Sequence, residues 1–165
     1  MLHPGTEGNR LMPDAEIARA VHVLAVILWI GGVGFVTLCL LPYCRSEIAP
    51  DVAVATFDAM ERRFATVARV AILAAGLSGL WMVHRYQLWE RFGQAAFWWM
   101  HAMVAVWLVF FLAVFVAEPL FLHRWFAACA ARDPVGTLRL VWRLHMVLLA
   151  ASLLAVFGAV SGVHG

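Results

Sequence analysis

Seven histidines stand in a chain of 165 residues whose long apolar runs hold few other side chains capable of chemistry. Imidazole binds haem iron and transition metals through one ring nitrogen. Inside a membrane such a side chain is costly, so it reads as functional by default. His22 lies about one and a half turns into the first apolar run, and His101 lies at a similar depth in the third. Those two runs point the same way, which puts the pair at one height on separate helices. That arrangement suits the two axial positions of haem b. His84 closes the second run on the same side and is the reserve ligand.

The surroundings fit a flat cofactor. Trp29 follows His22 by seven residues on the same helical face, and Gly31, Gly32 and Gly34 come next. Glycines there let a macrocycle or a neighbouring helix approach closely. Arg19 and Arg85 sit near the rim, where guanidinium groups pair with haem propionates. His3, His123 and His164 read as interfacial residues bonded to carbonyls and headgroups. Copper is the alternative cofactor. Met82 precedes His84, and Met100 and Met103 flank His101, a thioether and imidazole set that Cu(I) accepts. Positions 100, 101 and 103 nevertheless point in different directions round a helix, and methionines in such chains commonly pack.

The other end of the chain's apolar runs carries charge. Glu118 precedes Pro119 near the end of the third run, with Arg69 in the second and Arg143 in the fourth. A lone carboxylate at that depth is expensive, so Glu118 is expected to pair with Arg69 or Arg143. The pair either fixes helix register or forms a proton-uptake or quinone-head site with His145 nearby. Cys39, Cys44 and Cys129 show no CxxC spacing and read as packing residues.

The elements that must position these groups follow from composition. Hydrophobic residues make up 64% and charged residues 13% of the chain, against about 25% charge in a soluble domain. A soluble enzyme fold is excluded. Charge-free windows place four spans at 16–41, 64–84, 94–122 and 137–163, each helical because hydrocarbon cannot satisfy an open backbone. The expected fold is all-α, a single integral membrane domain built as an antiparallel four-helix bundle. Pro42 is expected to stop the first span. Asp133-Pro134 reads as a stop, with Thr137 as N-cap of the fourth span. The second helix should begin in the 43–63 loop and project beyond the bilayer. The first sixteen residues, with Pro4, Pro13, Glu7, Asp14 and Glu16, do not have the pattern of a cleavable signal.

All twelve basic residues are arginine. Arg10, Arg19, Arg85 and Arg91 fall on one side, and Arg45, Arg62, Arg63, Arg69, Arg124, Arg132, Arg139 and Arg143 on the other. The richer side is cytoplasmic by the positive-inside rule, so both termini are expected to face the periplasm from a bacterial inner membrane. No basic stretch suited to nucleic acid is present.

The run HVLAVILWIGGVGFVTLCLLP, His22 to Pro42, resembles the opening span of the CopD-like membrane proteins, a group linked to copper resistance and uptake. It is also similar, more loosely, to the HemJ-type protoporphyrinogen oxidases, which open with a histidine and a W-x-G stretch and bind haem b. ARVAILAAGLSGLW (Ala68 to Trp81) and AEPLFLHRWF (Ala117 to Phe126) fit the same broad group. The resemblance implies that His22 is the haem or metal ligand of the first span. The copper-resistance proteins have about eight spans, which makes this chain half their size. The HemJ type needs a lysine, and this chain has none, which argues against protoporphyrinogen oxidation.

The expected function is that of a b-type cytochrome-like protein passing electrons between the quinone pool and a periplasmic redox partner. The alternatives are CopD-like copper handling, and a cofactor-free structural subunit of a larger membrane complex. Besides lipid, a homodimer partner is compatible with the sequence.

Overall fold

The structure is a computed structural model that describes the backbone of residues 5–162 and the side chains of residues 14–162. His3, His164 and the side chain of Arg10 lie outside the described residues. The elements are α1 (Gly5–Phe35), a π-helical stretch (Val36–Leu40), α2 (Leu41–Ser46), α3 (Pro50–Arg85), two 3-10 turns (Leu88–Gly93 and Ala95–Phe97), α4 (Trp98–Leu112), a second π-helical stretch (Ala113–Leu122), α5 (His123–Arg132) and α6 (Pro134–Gly162). Among the described residues, four continuous helical rods are long and apolar enough to cross a membrane: Asp14–Ser46, Pro50–Arg85, Ala95–Arg132 and Pro134–Gly162. The chain is an all-α helical bundle of the membrane-protein type.

Helix boundaries differ from those read from the sequence, for local reasons. Pro42 does not stop the first rod. Pro42 lacks an N–H and its ring crowds the preceding turn, and the wider π turn at Val36–Leu40 lets the rod continue to Ser46. Pro119 is accommodated inside the second π stretch in the same way. The second rod starts at Pro50, with proline in its first turn. At about 1.5 Å per residue its 36 residues reach well beyond a hydrocarbon core of about 30 Å. The fourth rod is capped by Asp133 rather than Thr137. The Asp133 carboxylate accepts the Gly136 N–H at 2.8 Å, leaving Pro134 at the first helical position, where its missing N–H costs nothing. Gly136 leaves room for that carboxylate, which a Cβ there would force to shift.

Side-chain size decides which faces meet. Along α1 and α3 the buried positions are largely small, including Ala25, Ala68, Ala71 and Ala75, and the helices close on one another. His22 touches α3 at Ala75, whereas Gly32, ten residues on, lies under Phe64, so α1 and α3 run antiparallel. Gly158 and Gly162 of α6 receive Trp98 and Trp99 at the start of the third rod. Trp107 of α4 lies over Gly76 and donates to the Ile72 carbonyl at 2.9 Å. The closest pairs are α1 with α3 and α4 with α6. Large apolar residues such as Ile27, Leu77, Val147 and Phe157 face outward. An apolar exterior over a small-residue interior is the distribution that lipid favours.

Candidate functional site

Two polar sites lie at opposite ends of the bundle. At one end His22, half-buried on α1, reaches across to α3. Its Nδ1 lies 2.9 Å from the Ala75 carbonyl oxygen and 3.2 Å from Ser78 Oγ. The Ser78 hydroxyl itself donates to the Ala74 carbonyl, with a longer contact to Ala75. Both partners of Nδ1 therefore act as acceptors, which assigns the ring proton to Nδ1 and the lone pair to Nε2. Nε2 has no hydrogen-bond partner among the described residues. Metal-binding histidines are held this way, with one ring N–H fixed on a carbonyl and the other nitrogen left for the metal. Gly79 makes room for the ring, since a Cβ there would stand 3.2 Å from its Cε1. Neither Ala75 nor Ser78 stood out in the sequence, and only the spacing of 75, 78 and 79 along one helix face hinted at them.

His101 shares the depth of His22 but not its direction. Trp29 of α1 meets Phe110 of α4 edge-on, with ring centroids 4.9 Å apart. Counting back from that contact, His22 is seven residues away and His101 nine, a difference of about 3 Å along the axis. Nine residues at about 100° each amount to about two and a half turns, so His101 leaves α4 on the face opposite Phe110. It is exposed and rests edge-on against Phe92 at 5.3 Å. The expected His22–His101 pair is corrected accordingly: height matches and azimuth does not. His84, Arg85 and Arg19 are also exposed at this end, with no ion pair among the described residues.

Trp29 is buried, and its indole N–H has no acceptor among the described residues. It stands on the His22 face, two turns deeper. Gly32 has a different role from the one expected. Its open side is filled by the Phe64 ring, so it serves contact between α1 and α3 rather than approach of a cofactor. An apolar groove of about 260 Å³ bordered by Gly32, Phe35 and Phe64 lies toward the opposite end from His22. Met100 is buried whereas His101 beside it is exposed, so the two cannot share one ion. Among the described residues no three His, Cys, Asp or Glu side chains converge as a metal site.

The second site surrounds Glu118, which is buried at 7% exposure. Its Oε1 accepts from the Arg69 guanidinium at 2.7 Å, while Oε2 is buried with no partner among the described residues. Arg143 is exposed and makes no ion pair within the described residues, so Arg69 is the partner of Glu118. His123, one turn on, places Nε2 3.5 Å from Glu118 Oε1 and Nδ1 3.6 Å from Asp58 Oδ1. Asp58 also pairs with Arg62 one turn along α3. Glu61 lies within electrostatic reach of Glu118, His123, Asp58 and Arg69. His145 stays apart: its Nδ1–H donates to the Val141 carbonyl at 2.9 Å, and its ring meets Phe57. Asp58, Glu61 and His123 were missed as members of the site. The i, i+4 spacing of Asp58 and Arg62 was the one signal available.

Comparison with protein-family models, with curated proteins and with solved structures finds no match to this chain.

Proposed function

We propose that the chain is a membrane haem b protein of the electron-transferring kind, with iron held on Nε2 of His22. The observation that carries this reading is the anchored ring: Nδ1–H is committed to Ala75 and Ser78 across the helix interface, and Nε2 is left free. The Trp29 indole N–H on the same face adds a buried donor without an acceptor among the described residues. Haem, when bound, supplies one-electron chemistry. The chain's own residues set its ligand field and surroundings.

Their work can be stated residue by residue. Ala75 and Ser78 fix the plane of the His22 ring and raise the basicity of Nε2 by accepting from Nδ1–H. Gly79 leaves space for the ring against α3. Arg19 and Arg85, exposed at the same end, offer guanidinium groups to propionates without being buried themselves. With His101 and His84 turned outward, this arrangement offers one imidazole rather than two. The arginine distribution supports a reading in which the His22 end lies on the periplasmic side of a bacterial inner membrane, where it would face a periplasmic redox partner, with quinone as the membrane-side donor or acceptor.

Haem content of the purified protein and three variants tests this. His22→Ala should lose the haem, while His101→Ala and His145→Ala should retain it. The interhelical hydrogen bond that His22→Ala removes is worth only about 0.6 kcal/mol on average in membrane proteins, so the variant should still insert. Full haem content in His22→Ala would refute the assignment. Bound copper in place of haem would favour the copper-handling alternative.

A further inference from the structure

The Glu118 end holds a side-chain cluster that haem ligation at His22 does not use. Two carboxylates (Asp58 and Glu118) meet two guanidinium groups (Arg62 and Arg69) and one imidazole, His123. The deepest member, Glu118, is more than nine-tenths buried and keeps one carboxylate oxygen without a partner among the described residues. Leaving a buried carboxylate oxygen unpaired is costly, and binding a proton lowers that cost.

Water reaches the outer members of the cluster but hardly the innermost. His123 is 38% exposed, Asp58 25% and Glu118 7%. His123 stands between the other two with a different ring nitrogen toward each, 3.6 Å to Asp58 and 3.5 Å to Glu118. Both distances lie slightly beyond hydrogen-bond length, close enough that a small side-chain rotation makes either bond. An imidazole placed between an accessible carboxylate and a buried one can accept a proton on one nitrogen and release another from the opposite nitrogen.

We propose that this cluster is a proton-binding site in which His123 relays a proton from Asp58 to Glu118. The proton count closes. A proton from the aqueous side reaches Nδ1 of neutral His123 by way of Asp58 and gives an imidazolium. The Nε2 proton then passes to the Glu118 carboxylate, leaving a neutral ring and a neutral carboxylic acid. Rotation or tautomerisation of the ring resets it. Arg69 holds Glu118 in place throughout, and Arg62 holds Asp58. From α6, His145 is committed to the Val141 carbonyl. From α2, Arg45 lies over the Trp142 ring. Neither forms an ion pair with the cluster among the described residues.

The site is independent of haem, so its test is run on the full chain in phospholipid nanodiscs, with and without haem. Infrared difference spectra after a pH jump follow the carboxylic-acid carbonyl band and its rate of appearance. The wild type should gain such a band on acidification, and Glu118→Gln should lack it. His123→Ala should still form the band, but about tenfold more slowly or worse, in keeping with loss of a positioned proton-transfer group. Added imidazole should restore the rate. Asp58→Asn, which spares the buried groups should Glu118→Gln fail to fold, should show the same delay. The proposal is overturned if the band is absent from the wild type or persists in Glu118→Gln. Formation at wild-type speed in His123→Ala, or a band governed by sodium concentration at fixed pH, overturns it equally.

Discussion

Removing Arg69 should damage the protein more than removing its partner Glu118. The pair is unequal in burial: the Glu118 side chain is 7% exposed and that of Arg69 38%. Arg69→Met leaves a carboxylate in the bundle with one oxygen already lacking a partner. Breaking a buried pair in this way costs about 3–5 kcal/mol. The lower part of that range applies, because His123 remains 3.5 Å from Oε1. Glu118→Gln leaves a guanidinium that water already reaches, so screening reduces the penalty to about 1–2 kcal/mol. The double variant should be more stable than Arg69→Met alone, because no stranded charge remains. Reversible unfolding in mixed phospholipid–detergent micelles, arranged as a double-mutant cycle, measures this. Additivity within about 0.5 kcal/mol, or a larger loss for Glu118→Gln than for Arg69→Met, would refute the reasoning.

Gly32→Ala should destabilise the bundle by about 1–3 kcal/mol, the usual cost of overpacking, because the new methyl must displace Phe64. Gly31→Ala, facing open space, should be neutral or slightly stabilising in the same unfolding assay. Asp133→Ala should cost about 0.5–2 kcal/mol through loss of the α6 N-cap, seen as faster hydrogen exchange at Gly136 and Thr137. Gly76→Ala should disturb Trp107, whose ring lies against that glycine and whose N–H bonds Ile72, and shift its fluorescence.

The four rods were legible because each needs a run of apolar residues whatever its neighbours do. The continuation of the first rod past Pro42 was not. A π turn is selected by how the chain relieves a proline clash, and residue types alone do not show that. The same widening around Pro119 sets the direction of Glu118, so the sequence could ask for a counter-charge without choosing between Arg69 and Arg143. His101 is a different case. Its depth was read correctly from the span, while its direction depended on which α4 face meets α1. Once Phe110 is known to mark that face, a count of nine residues turns His101 away. Asp58 and His123 are brought to the Glu118 site through packing of α3 against the third rod, a non-local event with no periodic trace in the sequence.

The central claim is that His22 holds haem iron through Nε2 while Ala75 and Ser78 hold its other nitrogen. The most direct measurement is a reduced-minus-oxidised visible spectrum of the purified protein, of His22→Gly, and of His22→Gly supplied with free imidazole. The account predicts a haem b spectrum in the first, its loss in the second, and its return in the third, because free imidazole can occupy the vacated place. A wild-type protein without haem, or a His22→Gly variant with undiminished haem, would contradict it.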